Sequence, residues 1–240
     1  MEVDRMLNYI TKVIKNMPPD WLNLTTHRLD IYNEELAKIQ FLDQFENLAN
    51  DNISDTSALS ELPTAYDYIR LGHPLSCILE WAIANINTIS PDQVISFLSK
   101  TAPILSILRT NLLNHKNTLI AYTGELPSSF DAEILRTVYG YTFELQQVDH
   151  PSNISDFDGS TIFVSHQDKF SAEKVISNID FYINIHSGLG SVLLVKGADN
   201  KNYISDIQHF RRRETVAMTP ANCLNALKSF INQPIADNKK

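Results

Sequence analysis

The chain has 240 residues, 43% of them apolar, with 20 Lys and Arg against 28 Asp and Glu for a formal net charge of -8. That length and apolar content furnish a sizeable core, so disorder is excluded as the default. The acidic balance excludes a nucleic-acid partner, because phosphate binding leans on clustered Lys and Arg and the one basic run, Arg211-Arg212-Arg213, is too short to supply them.

Val3, Met6, Leu7, Ile10, Val13 and Ile14 recur at helical spacing and predict an amphipathic helix stopped by Pro18-Pro19. A second helix is expected from about Leu29 to Leu48, with Ile31, Leu36, Ile39, Leu42 and Phe45 inward, before the turn-rich Ala49-Asn50-Asp51-Asn52. The chain therefore divides into an N-terminal helical segment over 1–55, an α/β domain over 56–234 and a polar tail over 235–240. His73-Pro74 opens a third helix, since proline suits the first helical position, and Leu75, Ile78, Leu79, Ala82, Ile83 and Ile86 form its buried stripe. Ser90-Pro91-Asp92 is a second start signal, for a helix reaching about Leu113 and interrupted near Pro103.

From Thr118 the period changes. Strands are predicted at Leu119 to Tyr122, Thr142 to Val148, Thr161 to Ser165, Phe181 to His186 and Val192 to Lys196. Helices are expected from Asp131 to Tyr139 and near Ser171 to Ser177. The alternation of buried strands with helices implies an α/β fold with a mainly parallel sheet flanked by helices. The turn at Asp199 to Asn202 suggests a hairpin with Tyr203 to Ile207, and Thr219-Pro220 caps a last helix through Phe230.

Cys77 and Cys223 sit in apolar helical patterns with no His or Cys at ligand spacing, which indicates buried thiols rather than a disulfide or a metal site. Met1-Glu2-Val3-Asp4 does not lead into an apolar run, and no stretch approaches membrane-spanning length, so the expectation is a cytoplasmic protein with no membrane partner.

In an open α/β sheet ligands bind beyond the carboxyl ends of the strands, which directs attention to Thr123-Gly124-Glu125, Asp149-His150, His166-Gln167-Asp168, His186-Ser187-Gly188 and Thr219. Asp149 follows Gly124 at the interval of a ribose-binding carboxylate, yet the glycine-rich fingerprint is absent. His166 with Asp168, or His186 with Ser187, lacks the strained nucleophile turn that would make adjacency meaningful. Ser187-Gly188-Leu189-Gly190-Ser191 reads as a tight connection whose glycines serve backbone geometry.

Residues Tyr66-Asp67-Tyr68-Ile69-Arg70-Leu71-Gly72-His73-Pro74, followed by Leu79-Glu80 and Ile83-Ala84, resemble the Y-x-Y-S-R-x-G-N-P-T stretch of the fold-type-I pyridoxal-phosphate enzymes of cysteine and methionine metabolism, the cystathionine γ-synthase and methionine γ-lyase family. Ile69, His73 and Leu75 replace the family's serine, asparagine and threonine. The likeness extends more diffusely to Phe230. Ser99-Lys100-Thr101-Ala102 falls at the phosphate-cradling S-G-M-A loop, Gly140 to Asp149 at a G-I-x-V-x-x-V-D strand, and Ile179 to Ser187 near A-D-x-x-x-H-S. Phe210-Arg211 and Thr219-Pro220 resemble later segments of the family.

The resemblance implies a shortened large domain of that fold, a cofactor-phosphate site whose remnants are Tyr68, Arg70 and Ser99, and a homodimer, since in the family the first two residues reach a neighbouring subunit's phosphate. Arginine suits that task because its fork matches phosphate oxygens. The departures concern chemistry. A pyridoxal-phosphate enzyme needs a Schiff-base lysine, an acid at the pyridinium nitrogen and a platform over the ring. After His186-Ser187, where the family has a threonine and that lysine, this chain has Gly188-Leu189. The pyridinium aspartate falls in a missing block, the stacking Tyr-Gly-Gly-Thr is replaced around Leu126-Pro127-Ser128, and Lys100 stands at the cradle's glycine. The sequence stops before the family's C-terminal domain.

Three readings follow. The first is a degenerate, non-catalytic relative with no catalytic residues and no cofactor, acting through protein contacts. In the second, Lys100 or Lys196 holds pyridoxal phosphate or a phosphate-bearing metabolite. The third is a small-ligand or nucleotide site lined by Thr123, Asp149, His166 and Ser187.

Overall fold

A computed structural model describes residues 2–23, 34–63, 70–173, 176–197 and 200–232. In chain order the helices are α1 (Val3–Asn16), α2 (Glu34–Asp51), α3 (Thr56–Ser60), α4 (Pro74–Asn87), α5 (Ala102–Leu113), α6 (Ala132–Thr137), α7 (Tyr203–Glu214) and α8 (Pro220–Ile231). The strands are β1 (Val94–Phe97), β2 (Thr118–Tyr122), β3 (Phe143–Gln147), β4 (Ser160–His166), β5 (Phe181–His186) and β6 (Gly190–Val195). They form one sheet in the order β1-β6-β5-β4-β2-β3. The pairs β2–β3, β2–β4 and β4–β5 are parallel, while β6 runs antiparallel to both β5 and β1. The mainly parallel α/β fold is as the sequence predicts.

Helices cover both faces. Leu105, Ile107 and Leu108 of α5, Leu135 of α6 and Ile207 and Phe210 of α7 pack on Ile120, Ile162, Ile183 and Leu193. On the other face α4 and α8 lie against Leu119, Ala121, Tyr182 and Leu194, and α1 and α2 pack outside them through Met6, Ile10, Phe41 and Phe45. Strands β5 and β6 are buried along their whole length and β4 up to His166, whereas β3 at the edge exposes Glu144 and Leu145.

Helix α4 begins as its sequence dictates. The His73 imidazole accepts from the Ser76 N–H at 3.1 Å, the Ser76 hydroxyl accepts from the His73 N–H at 2.9 Å, and Pro74 takes the first turn. An N-cap supplies a side-chain acceptor to the first turn, and here the His73 imidazole is that acceptor.

Several expectations need correction. The start signal at Pro91 opens a single 3-10 turn, after which Val94–Phe97 is a buried strand, and Pro103 lies in the first turn of α5 rather than interrupting a longer helix. The β-branched and aromatic content of Val94-Ile95-Ser96-Phe97 favours the strand. Tyr203 to Ile207 is not a hairpin strand. The N–H groups of Tyr203 and Ile204 turn back onto Asn200 and Lys201, and Tyr203, Ile207 and Phe210 then bury one face of α7.

Ser171–Glu173 and residues 176–178 are not helical. There the Glu173 N–H goes to the Asn87 side chain at 2.8 Å, leaving it no helical partner. In α2, Ile39 is 39% exposed and Lys38 takes the inward position with Phe41, Leu42 and Phe45. Leu29, Ile31, the side chain of Leu36 and the polar tail over 235–240 lie outside the described residues. Cys77 and Cys223 are buried free thiols, and burial pushes the Cys77 thiol up to about 12.

Candidate functional site

The strand directions bring the carboxyl ends of β1 to β5 and the amino end of β6 to one edge of the sheet. Beside it, between α5, α6 and α7, lies a cavity of about 670 Å³. Its polar end is Ser99, Thr101 and Ser129, with Asp131 beside them; its walls are Leu105, Ile134, Leu135 and Phe210; Arg109, Tyr139, Tyr141 and Glu214 complete the lining with Ala102 and Thr215. The Thr101 and Ser129 hydroxyls share a hydrogen bond, Arg109 pairs with Glu214 at 3.2 Å, and the Tyr139 and Tyr141 rings stack 6.0 Å apart at an interplanar angle of 7°. Burial raises the Tyr141 hydroxyl, opposed by the nearby Arg109.

Ser99 is the predicted residue that reaches this cavity. Its hydroxyl accepts from the N–H groups of Thr101 at 3.2 Å and Ala102 at 3.1 Å, so it closes the amino end of α5. Lys100 is exposed and does not line the cavity. Arg70 donates to the carbonyls of Arg212 at 3.1 Å and Arg213 at 2.9 Å, at the carboxyl end of α7, where a cation and donor meets orphan carbonyls and the negative end of the helix dipole. Tyr68 lies outside the described residues.

None of Thr123, Asp149, His166 and Ser187 lines the cavity. His166 meets the Glu125 carbonyl at 2.9 Å instead of Asp168, and His186 stacks on Phe170 with ring centroids 4.0 Å apart instead of meeting Ser187. Thr219 accepts from the Asn222 N–H as the N-cap of α8. Lys196 follows β6 at the opposite edge of the sheet, where Val195 pairs with Phe181. Its ammonium is buried with no hydrogen-bond partner among the described residues, 5.7 Å from the Tyr182 ring centroid, and burial lowers its pKa. Lys196, offered from the sequence as a holder of pyridoxal phosphate or a phosphate-bearing metabolite, thus stands away from the carboxyl edge because β6 runs antiparallel to β5. Gly190, at φ 137°, brings its α-carbon so close to the Phe97 carbonyl that a β-carbon would stand 2.2 Å from that oxygen, which accounts for the glycine in this turn.

A buried ionic cluster escaped the sequence reading. Glu80, 2% exposed, accepts from Lys38 at 2.6 Å, from the Ser96 N–H at 2.8 Å and hydroxyl at 2.7 Å, and from Arg211 at 3.3 Å. Lys38 also donates to the carbonyls of Pro91 and Val94, and Arg211 to those of Ser96 and Leu71. Burial alone would raise the Glu80 carboxyl, but the two adjacent cations hold it below its ordinary value. Beside it, burial lowers His73 to about 4, and the neutral ring meets the Met218 carbonyl through Nε2 at 2.7 Å. Together these groups tie α2, α4, β1 and α7. The Leu79-Glu80 and Phe210-Arg211 pairs were visible as motifs, but Glu80 lies 42 residues from Lys38 and 131 from Arg211, so their union leaves no local signal.

No family model matches the chain, and no curated protein matches it. Solved structures are similar to it at low identity. They include metB from Corynebacterium glutamicum, at 13% identity and a TM-score of 0.46, covering 71% of this chain and 54% of that one. CalE6, a methionine gamma lyase from Micromonospora echinospora solved in its apo form, aligns at 11% identity and a TM-score of 0.45, covering 69% of this chain and 55% of its own. The chain spans about half the length of each. Among the described residues no helix is long and apolar enough to cross a membrane, and no group of three or more His, Cys, Asp or Glu is placed to hold a metal ion.

Proposed function

We propose that this chain is a degenerate relative of the pyridoxal-phosphate enzymes of cysteine and methionine metabolism, non-catalytic and acting through protein contacts, a homodimer first among them. The position of its lysines carries the reading. Among the described residues no lysine lines the cavity at the carboxyl edge; Lys100 is exposed and outside its lining, and Lys196 stands at the far edge of the sheet. The residues present do not suit pyridoxal phosphate. A Schiff base needs an amine at the cofactor's carbonyl carbon, and a phosphate at the α5 terminus would need the N–H groups of Thr101 and Ala102 that Ser99 already occupies.

The remnant phosphate site proposed from Tyr68, Arg70 and Ser99 has become structural in this reading, with Arg70 closing α7 and Ser99 closing α5. Support for protein contact comes from Ile134, Val138 and Tyr139 at α6 and Leu145 on the edge strand, all exposed apolar side chains, with Val138 at 73%. The proposed division is a sheet domain with an N-terminal helical segment packed on its α4 and α8 face.

Two experiments test the reading. The protein expressed and purified with pyridoxal phosphate is expected to be colourless above the protein band. Light scattering is expected to give a dimer mass that Val138→Glu reduces to the monomer. A lysine-bound chromophore in stoichiometric amount overturns the non-catalytic claim, and a monomeric wild type overturns the contact.

A second reading is favoured by the cavity itself, whose volume of about 670 Å³ falls within the range of small-ligand sites. Its stacked tyrosines and Arg109 suit a flat anionic ligand. A thermal-shift screen decides it, since a ligand at 100 times its dissociation constant adds about 2.7 kcal/mol and a silent nucleotide and phosphate panel removes it.

A further inference from the structure

The two edges of the sheet are finished differently. Along β1 the backbone groups that turn away from β6 belong to Val94, Ser96 and the following Leu98. Lys38 meets the Val94 carbonyl at 3.1 Å, Glu80 takes the Ser96 N–H at 2.8 Å, Arg211 meets the Ser96 carbonyl at 2.9 Å, and the Val216 carbonyl takes the Leu98 N–H at 3.2 Å. The buried ionic cluster thus stands in for a further strand and closes that edge.

At the other edge β3 has β2 on one side and no strand on the other among the described residues. The Val148 N–H, just past β3, goes to the Tyr122 carbonyl, so by the alternation of a strand the even residues address β2. Phe143, Leu145 and Gln147 therefore turn their backbone groups outward. Arg136 takes the Phe143 carbonyl at 3.1 Å, whereas the Leu145 N–H and carbonyl have no partner among the described residues, and Leu145 is 37% exposed. Phe143-Glu144-Leu145-Gln146-Gln147 has neither lysine nor proline, and its register with β2 runs without a bulge, so the usual guards of an open edge are missing.

This edge is complementary to itself. Set antiparallel about a two-fold axis at Leu145, two copies of β3 engage all three outward-facing residues, with Leu145 opposite Leu145 and Phe143 opposite Gln147. Glu144, the strand's one charge, then faces the Gln146 amide of the second copy; an axis at Glu144 would set two carboxylates opposite each other. The Leu145 side chain shares the Phe143 face, the side of α6, whose Arg136 guanidinium stands 4.3 Å from the Phe143 ring centroid. Ile134, Val138 and Tyr139, exposed at α6, add apolar surface on that side. Resting on the homodimer reading above, we propose that the second copy docks edge to edge, its β3 antiparallel to this one about Leu145, so that two six-stranded sheets become continuous.

The test uses the full chain. Light scattering should give twice the monomer mass, and Leu145→Lys should halve it with the far-UV circular dichroism unchanged. Leu145→Cys should give a cross-linked dimer under mild oxidant, since facing hydrogen-bonded residues of an antiparallel pair stand about 5.5 Å apart at Cα, within disulfide range, and Cys77 and Cys223 are buried. Leu113→Cys, at a position 72% exposed on α5, should not. If Leu145→Lys loses its far-UV signal, the cysteine cross-link decides alone. A wild-type dimer that gives no Leu145→Cys cross-link, or that a folded Leu145→Lys leaves intact, would overturn the edge pairing while the homodimer reading stands. A monomeric wild type, with or without an extended peptide of another protein on the edge, would overturn both.

Discussion

Replacing Lys38 by Met removes one cation from the buried cluster while keeping most of the side chain's volume. Glu80 then loses its shortest contact, at 2.6 Å, and keeps Arg211 at 3.3 Å and the two Ser96 donors. The carbonyls of Pro91 and Val94 lose a charged donor as well. Removing one partner of a buried ion pair costs about 3–5 kcal/mol, because the remaining charge stays out of water. The surviving contacts of Glu80 set the expectation near 3 kcal/mol, the lower end of that range. For a chain of this size that corresponds to a melting temperature lowered by roughly 6–12 °C. Urea unfolding followed by tryptophan fluorescence measures it directly, since Trp81 lies on the same helix as Glu80.

Glu80→Gln in the same background should cost less than it does alone, with a coupling of about 1–3 kcal/mol, because it removes the charge that Lys38→Met leaves uncompensated. A Lys38→Met loss below about 1 kcal/mol, or strict additivity of the two substitutions, would refute the cluster as the bond between α2 and the sheet.

Three further outcomes follow from the same structure. Burial lowers His73 and His186 to about 4, below the unfolded value of about 6.5, so the unfolded chain binds more protons and stability falls as pH drops from about 6.5 toward 4; each histidine costs roughly 2 kcal/mol by pH 5, read from urea midpoints at pH 7.5 and 5.0, and an unchanged midpoint would contradict it. Gly190→Ala sets a β-carbon 2.2 Å from the Phe97 carbonyl oxygen and should cost well over about 2 kcal/mol, whereas Gly188→Ala meets nothing within 4 Å and should cost only the roughly 1–2 kcal/mol of a left-handed backbone; equal thermal shifts would contradict the assignment of Gly190 to close packing. Arg70→Ala removes two partly exposed hydrogen bonds to the end of α7 and should cost about 0.5–1.5 kcal/mol without altering the spectrum in the presence of pyridoxal phosphate.

The sheet was legible because its strands are short apolar runs bounded by turn residues, and α4 and α8 because each opens with a capping residue before proline. What escaped the sequence had a physical cause in each instance. Lys38 sits in the apolar stripe of α2 because Glu80, on another helix, waits for it; helical periodicity alone assigns that slot to Ile39. Strand β1 was hidden by a proline signal that starts a single turn, and α7 by the asparagine-rich turn before it. Of the candidate site, Ser99 drew attention through its motif, while Arg109 and Tyr139 belong to segments with no motif, Tyr141 only to the diffuse Gly140 to Asp149 likeness, and their meeting is assembled by packing.

The central claim, the proposal that the chain is non-catalytic, is that none of its lysines forms a Schiff base with pyridoxal phosphate. It is tested most directly by incubating the purified protein with excess pyridoxal phosphate, reducing with borohydride and measuring the intact mass. The account predicts no stoichiometric pyridoxyl adduct and unchanged mass after dialysis. A single adduct in full occupancy, mapped by peptide mass spectrometry to Lys100 or Lys196, would contradict it.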